Sequence, residues 1–206
     1  MIYKTARIVF ISFSILIALY PLAYFFPTGI KEVGLLSSKN AETLSNIYWN
    51  YGFYGHILFG GLALLIGWVQ FLPDFRKKNI SLHRIVGKVY VVAVLLSGLC
   101  AASILNSVSA GVVGKLGFGL LSAVWVMTTL LGFTSIRKGA LLSHQRWMIL
   151  SYAACWSAVT LRLWLPLSTY YFDGNFFKAY TLSAWLCWVP NIVFALWLIS
   201  RQKKGL

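Results

Sequence analysis

Apolar residues gather into six runs of about 20, each long enough to cross a bilayer as an α-helix, and polar residues gather between them. The runs fall at about 7–26, 53–72, 85–105, 116–135, 147–166 and 180–199. Pro73 closes the second run and Pro166 the fifth; Pro190 lies inside the sixth and predicts a kink there. The longest connection is 27–52, where "AETLSNIYW" has helical character and suits the membrane surface. The first run is too long for the apolar part of a signal peptide, and no A-x-A site follows it, so it is expected to stay. The expected fold is all-α: a polytopic bundle of six transmembrane helices forming a single membrane domain over 1–206.

Inside the runs, small and polar residues recur at helical spacing. One stripe is His56, Gly60, Ala63, Gly67 and Gln70. A second is His83, Gly87, Tyr90, Val94, Ser97 and Ala101; a third is His144, Met148, Ser151, Cys155, Val159, Arg162 and Pro166. Small residues let helices approach closely, and polar ones belong inside a bundle. On a straight helix His144 and Arg162 share a face, about 27 Å apart.

Two stretches echo each other. "FRKKNISLH" at 75–83 and "IRKGALLSH" at 136–144 align without a gap at an offset of 61, setting Arg76 on Arg137, Lys77 on Lys138 and His83 on His144. Spans two–three and four–five therefore read as two copies of one helical hairpin, as in other membrane proteins with parallel repeats. Both histidines then stand at one depth, at the starts of spans three and five.

Composition agrees with the pattern. Of 206 residues, 59% are hydrophobic and only 11% charged, too few charges to cover a soluble domain. The net charge of +14 is no sign of nucleic-acid binding, because the cations sit at the ends of apolar runs. Of eighteen Lys and Arg, thirteen fall on the side of the N-terminus and four on the other, which puts both termini inside. The eighteenth, Arg162, lies within a span.

Little conventional chemistry is encoded. Cys100, Cys155 and Cys187 all lie in apolar runs, with no CxxC pair, and read as small buried hydrophobes. No G-x-S-x-G, H-E-x-x-H or P-loop occurs, and four carboxylates in the whole chain do not support paired acid–base catalysis, so no reaction is assigned. Arg162 reads either as snorkelling to outer headgroups or as an anion site in the bundle interior, with Glu32, Glu42, Asp173 or His56 as neighbours. His83 and His144 match the way b-type cytochromes hold haem, with imidazoles from two helices on one iron. Arg84, Lys88 and Arg146 are at hand for the propionates. His56 is the lone histidine of the outer half, so a second haem is not supported. The same pair leaves open a metal ion, a quinone headgroup, or hydrogen bonds to neighbouring helices.

Three segments, "GHILFGGLALLIGWVQFLP", "LHRIVGKVYVVAVLLSG" and "SHQRWMILSYAACWSAVTLRLWLP", resemble the bacterial predicted-membrane-protein family called domain of unknown function 2306, over roughly 52–166. The shared elements are His56 with Gln70, His83-Arg84 with Gly87 and Tyr90, then His144, Arg146-Trp147-Met148 and Arg162. The resemblance implies a multi-pass protein of the bacterial cytoplasmic membrane and assigns no activity. The leading expectation is haem b, or a related redox ligand, with His83 and His144 as ligands and Arg84 and Arg146 as anion partners. The alternative is a non-catalytic membrane protein: a transporter-like small-molecule binder, or a subunit or assembly factor of a complex.

Overall fold

The computed structural model describes residues 2–25 and 36–202; Lys31, Glu32, Lys203 and Lys204 lie outside them. Every regular element among the described residues is helical. Six segments are long and apolar enough to cross a membrane: Thr5–Tyr24, Ile47–Phe71, Ile80–Ser107, Gly111–Arg137, Leu141–Tyr171 and Phe176–Arg201. The chain divides into two compact units, Met1–Ile104 and Leu105–Leu206.

The first unit contains α1 (Ile2–Leu19), α2 (Ala41–Ser45), α3 (Ile47–Gly67), α4 (Pro73–Lys78) and α5 (Ile80–Ile104). The second span starts six residues earlier than the hydrophobic run suggested, because Asn46 caps it: its side chain accepts from the backbone N–H of Tyr48 (3.0 Å) and Trp49 (3.1 Å). That first turn is tied down by an aromatic cluster. Trp49 stacks on Phe53 at 5.0 Å, and Tyr24 meets Phe53 edge-on at 5.6 Å. At its other end α3 tightens into a 3₁₀ turn, Trp68–Phe71, and Leu72 is extended ahead of Pro73, which opens α4. Asp74 in the first turn of α4 and Arg76, Lys77 and Lys78 in its last turn complement the helix dipole.

α3 and α5 form the main pair of this unit, and glycine sets their distance. A Cβ at Gly52 would lie 2.5 Å from Ile104 and Ser103 side-chain atoms, at Gly55 2.7 Å from Cys100 Sγ, and at Gly60 3.1 Å from Ser97 Oγ. The stripes read from the sequence face inward here: Ala63, Tyr90, Val94 and Ser97 are all buried.

The second unit contains α6 (Gly111–Arg137), α7 (Leu141–Cys155), α8 (Ser157–Tyr171), α9 (Phe176–Leu186) and α10 (Val189–Gln202). α6 turns into α7 through Gly139, whose φ of +74° only glycine adopts easily. Buried Thr129 and Ser151 join these two helices, hydroxyl to hydroxyl, at 2.7 Å. At the other end of the unit Gly117 lets α6 approach α9, where a Cβ would lie 2.9 Å from the Ala184 carbonyl.

Both later spans are broken, and two expectations about the fifth change. The fifth span is not one straight helix but α7 and α8 meeting at Trp156. The stripe still faces inward on both sides of the joint, where Ser151, Cys155 and Val159 are all buried, so what changes is the single straight axis assumed from His144 to Arg162. Nor does the span end at Pro166: α8 carries that proline inside and continues to Tyr171. The kink expected from Pro190 falls in the turn just before it. α9 stops at Leu186, whose carbonyl the Pro190 ring crowds and cannot bond, and α10 starts at Val189.

The breaks release backbone carbonyls, and polar side chains take them up. Thr160 Oγ1 donates to the Cys187 carbonyl. Asn191 Nδ2 lies 3.0 Å from that carbonyl, 3.3 Å from the Ala153 carbonyl and 3.1 Å from Thr160 Oγ1. Broken helices persist at membrane depth where neighbouring side chains satisfy the freed groups in this way.

Candidate functional site

The repeated hairpin is visible in the backbone at one place in each unit. α5 opens at Ile80 and α7 at Leu141, the same offset of 61 that relates the two histidines. The backbone N–H of His83 donates to the Asn79 carbonyl at 2.9 Å, and that of His144 to the Ala140 carbonyl at 3.0 Å. Each histidine is thus held in the first turn of a long helix, next to its hairpin's basic connection.

His144 has a defined tautomer. Its Nδ1 lies 2.9 Å from the carbonyl oxygen of Gly132 on α6. A carbonyl can only accept, so Nδ1 carries the proton, and in the neutral ring Nε2 keeps its lone pair. Nε2 makes no hydrogen bond among the described residues. Gly132 makes the contact feasible: a Cβ there would lie 2.6 Å from Met148 Sδ and 3.4 Å from Trp147 Cβ. Its role was not read from the sequence; the available signal was a glycine twelve residues before the histidine, near the end of the preceding span.

His83 is half-buried, on the face of α5 that continues through Gly87 to buried Tyr90. Opposite stands Gln70, whose Oε1 lies 3.8 Å from where a Gly87 Cβ would sit. Both polar atoms of the Gln70 side chain are buried without a hydrogen-bond partner among the described residues. So is the indole Nε1 of Trp68, a residue to which the sequence alone assigns no role.

The two arginines expected beside the histidines differ. Arg84 is exposed. Arg146 is half-buried, with an Nε–H that is shielded and lacks an acceptor among the described residues. Arg84 follows His83 by one residue and Arg146 follows His144 by two, about 100° and 200° around the helix, so neither shares its histidine's face.

His56 and Arg162 belong to different arrangements. His56 Nδ1 approaches Ser97 Oγ at 3.0 Å and the Ser97 carbonyl at 3.2 Å, between α3 and α5. Arg162 folds back along its own helix, Nη1 donating to the Ala158 carbonyl at 2.7 Å. Asp173, one of its expected partners, is exposed and forms no ion pair among the described residues. The three cysteines are free thiols, and no group of three or more metal-ligating side chains occurs among the described residues.

A family model described as "Predicted membrane protein (DUF2306)" matches residues 53–199. No curated protein and no solved structure matches the chain.

Proposed function

The chain belongs to the DUF2306 family of predicted membrane proteins, and on that premise we propose that it holds haem b, or a related redox ligand, through the imidazole of His144. The observation that carries this reading is the bond from His144 Nδ1–H to the Gly132 carbonyl at 2.9 Å. Ligating histidines are oriented in this manner: one ring N–H is fixed on a carbonyl, and the other nitrogen is presented with its lone pair. The donor set fits a haem iron, which needs one or two imidazoles rather than a cage of three or more ligands. Bound haem would supply one-electron transfer. The expectation that Arg84 and Arg146 pair with its propionates is not carried forward, because neither lies on the face that bears its histidine. The proposed setting is the bacterial cytoplasmic membrane with both termini inside, supported by the excess of Lys and Arg on that side.

The test is an absorption spectrum of protein purified in detergent from haem-replete cells. A Soret band and a reduced-minus-oxidised α-band are expected, both lost in His144→Ala. A low-spin spectrum that turns high-spin in His83→Ala makes His83 the second ligand. Colourless protein from such cells overturns the reading. A second reading, the non-catalytic binder of a small molecule, draws on the buried Gln70 amide.

A further inference from the structure

We propose that the first unit carries a binding niche for a quinone or quinol headgroup, formed by the Gln70 amide, Gly87 and the face of α5 that also bears His83. The niche stands on residues of the first unit alone and is independent of the haem reading.

Two observations define it. Both amide atoms of Gln70 are buried without a partner among the described residues. In an apolar interior such an amide loses its water and gains nothing in return, which a mere packing role would not tolerate. Beside it, the helix interface is open. At Gly52, Gly55 and Gly60 a Cβ would meet the opposite helix within 3.1 Å, so those glycines exist for contact. At Gly87 the single neighbour within 4 Å is Gln70 Oε1, at 3.8 Å. A missing side chain and an orphaned amide thus front the same gap.

The chemistry of the gap selects its occupant. A primary amide gives a donor and an acceptor side by side and no charge. A ring carbonyl accepts from Nε2–H, and a phenolic hydroxyl donates to Oε1, so both oxidation states of a quinone find a partner. An ionic headgroup would not, since Arg84 and Lys88, the nearest cations on this helix, are exposed.

Full-length protein purified from haem-depleted cells is titrated with decylubiquinone and, separately, with menadione, and binding is followed by calorimetry. Saturable binding of at least one is expected. Gln70→Met, close in volume but without the amide, should weaken it about tenfold or more, the equivalent of one lost hydrogen bond. Gly87→Leu, which fills the gap, should abolish it. Both variants should match or exceed the thermal midpoint of the wild type, because one removes an unpaired polar group and the other fills space. Unchanged affinity in Gln70→Met overturns the proposal. So does a wild type that binds neither quinone, in which case a more stable Gln70→Met variant marks the niche as holding water only.

Discussion

His56 and Ser97 bind each other in both directions across α3 and α5. The imidazole Nδ1–H donates to Ser97 Oγ at 3.0 Å, with the Ser97 carbonyl at 3.2 Å, and the Ser97 hydroxyl donates to the His56 carbonyl at 3.1 Å. Ser97 is fully buried, so neither partner is replaced by water. Ser97→Ala should lower stability by about 1–2 kcal/mol, more than the roughly 0.6 kcal/mol average for hydrogen bonds between membrane helices. Reversible unfolding in mixed detergent–SDS micelles measures it; an unchanged midpoint would show that the exchange holds nothing.

Gly132 and Met148 should be energetically coupled. A methyl group at Gly132 would sit 2.6 Å from Met148 Sδ and 3.2 Å from its Cγ, so Gly132→Ala forces the Met148 side chain out of its place between α6 and α7. Met148→Ala removes the obstacle. A double-mutant cycle should return a favourable coupling of about 0.5–3 kcal/mol, the double variant being more stable than the sum of the singles predicts. Strict additivity would refute the close approach.

Asn191 should matter more than its half-exposed position suggests. Asn191→Leu strips a donor from the carbonyls of Ala153 and Cys187, both released by the helix breaks. The expected loss is about 1–3 kcal/mol. Hydrogen exchange should rise at the amides around Trp188 to Ile192 before it rises elsewhere in α10. Exchange unchanged at those amides would mean the breaks are held by something else.

Orientation is open to a labelling test. Lys138 and Asn175 are both exposed and lie in turns at opposite ends of the fifth span. With the native thiols of Cys155 and Cys187 buried and Cys100 half-buried, background reaction should be low. Asn175→Cys should react with an impermeant maleimide in intact cells, and Lys138→Cys only after the inner face is exposed. The opposite pattern inverts the topology.

The bundle was legible because its driving pattern is coarse. A run of about 20 apolar residues crosses the bilayer whatever its neighbours do. Stripes such as Tyr90, Val94 and Ser97 could be placed inward because one continuous helix carries them. The break at Trp156 was not legible: no proline or glycine stands beside it, and the groups that sustain it, Thr160 and Asn191, come from separate spans. Pro190 gave warning of the other break but not its position, since proline disrupts the turn before it. At the candidate sites, the sequence offered His83, His144 and Gln70 by type and spacing. It could not offer Gly132, whose contribution is a backbone oxygen at one distance from a ring nitrogen. Such a contact depends on how two helices pack, and hydropathy carries no trace of it.

The matched hairpins end in different hardware. α5 runs unbroken from Ile80 to Ile104, while its counterpart is jointed at Trp156. A rigid rod carries a push or a twist along its whole length, and a jointed rod loses much of both at the joint. His83 and Ser97 thus share one unbroken helix with the His56 contact, while the joint stands between His144 and Arg162. If the two hairpins arose by copying, one copy kept the lever and the other traded it for a wrist.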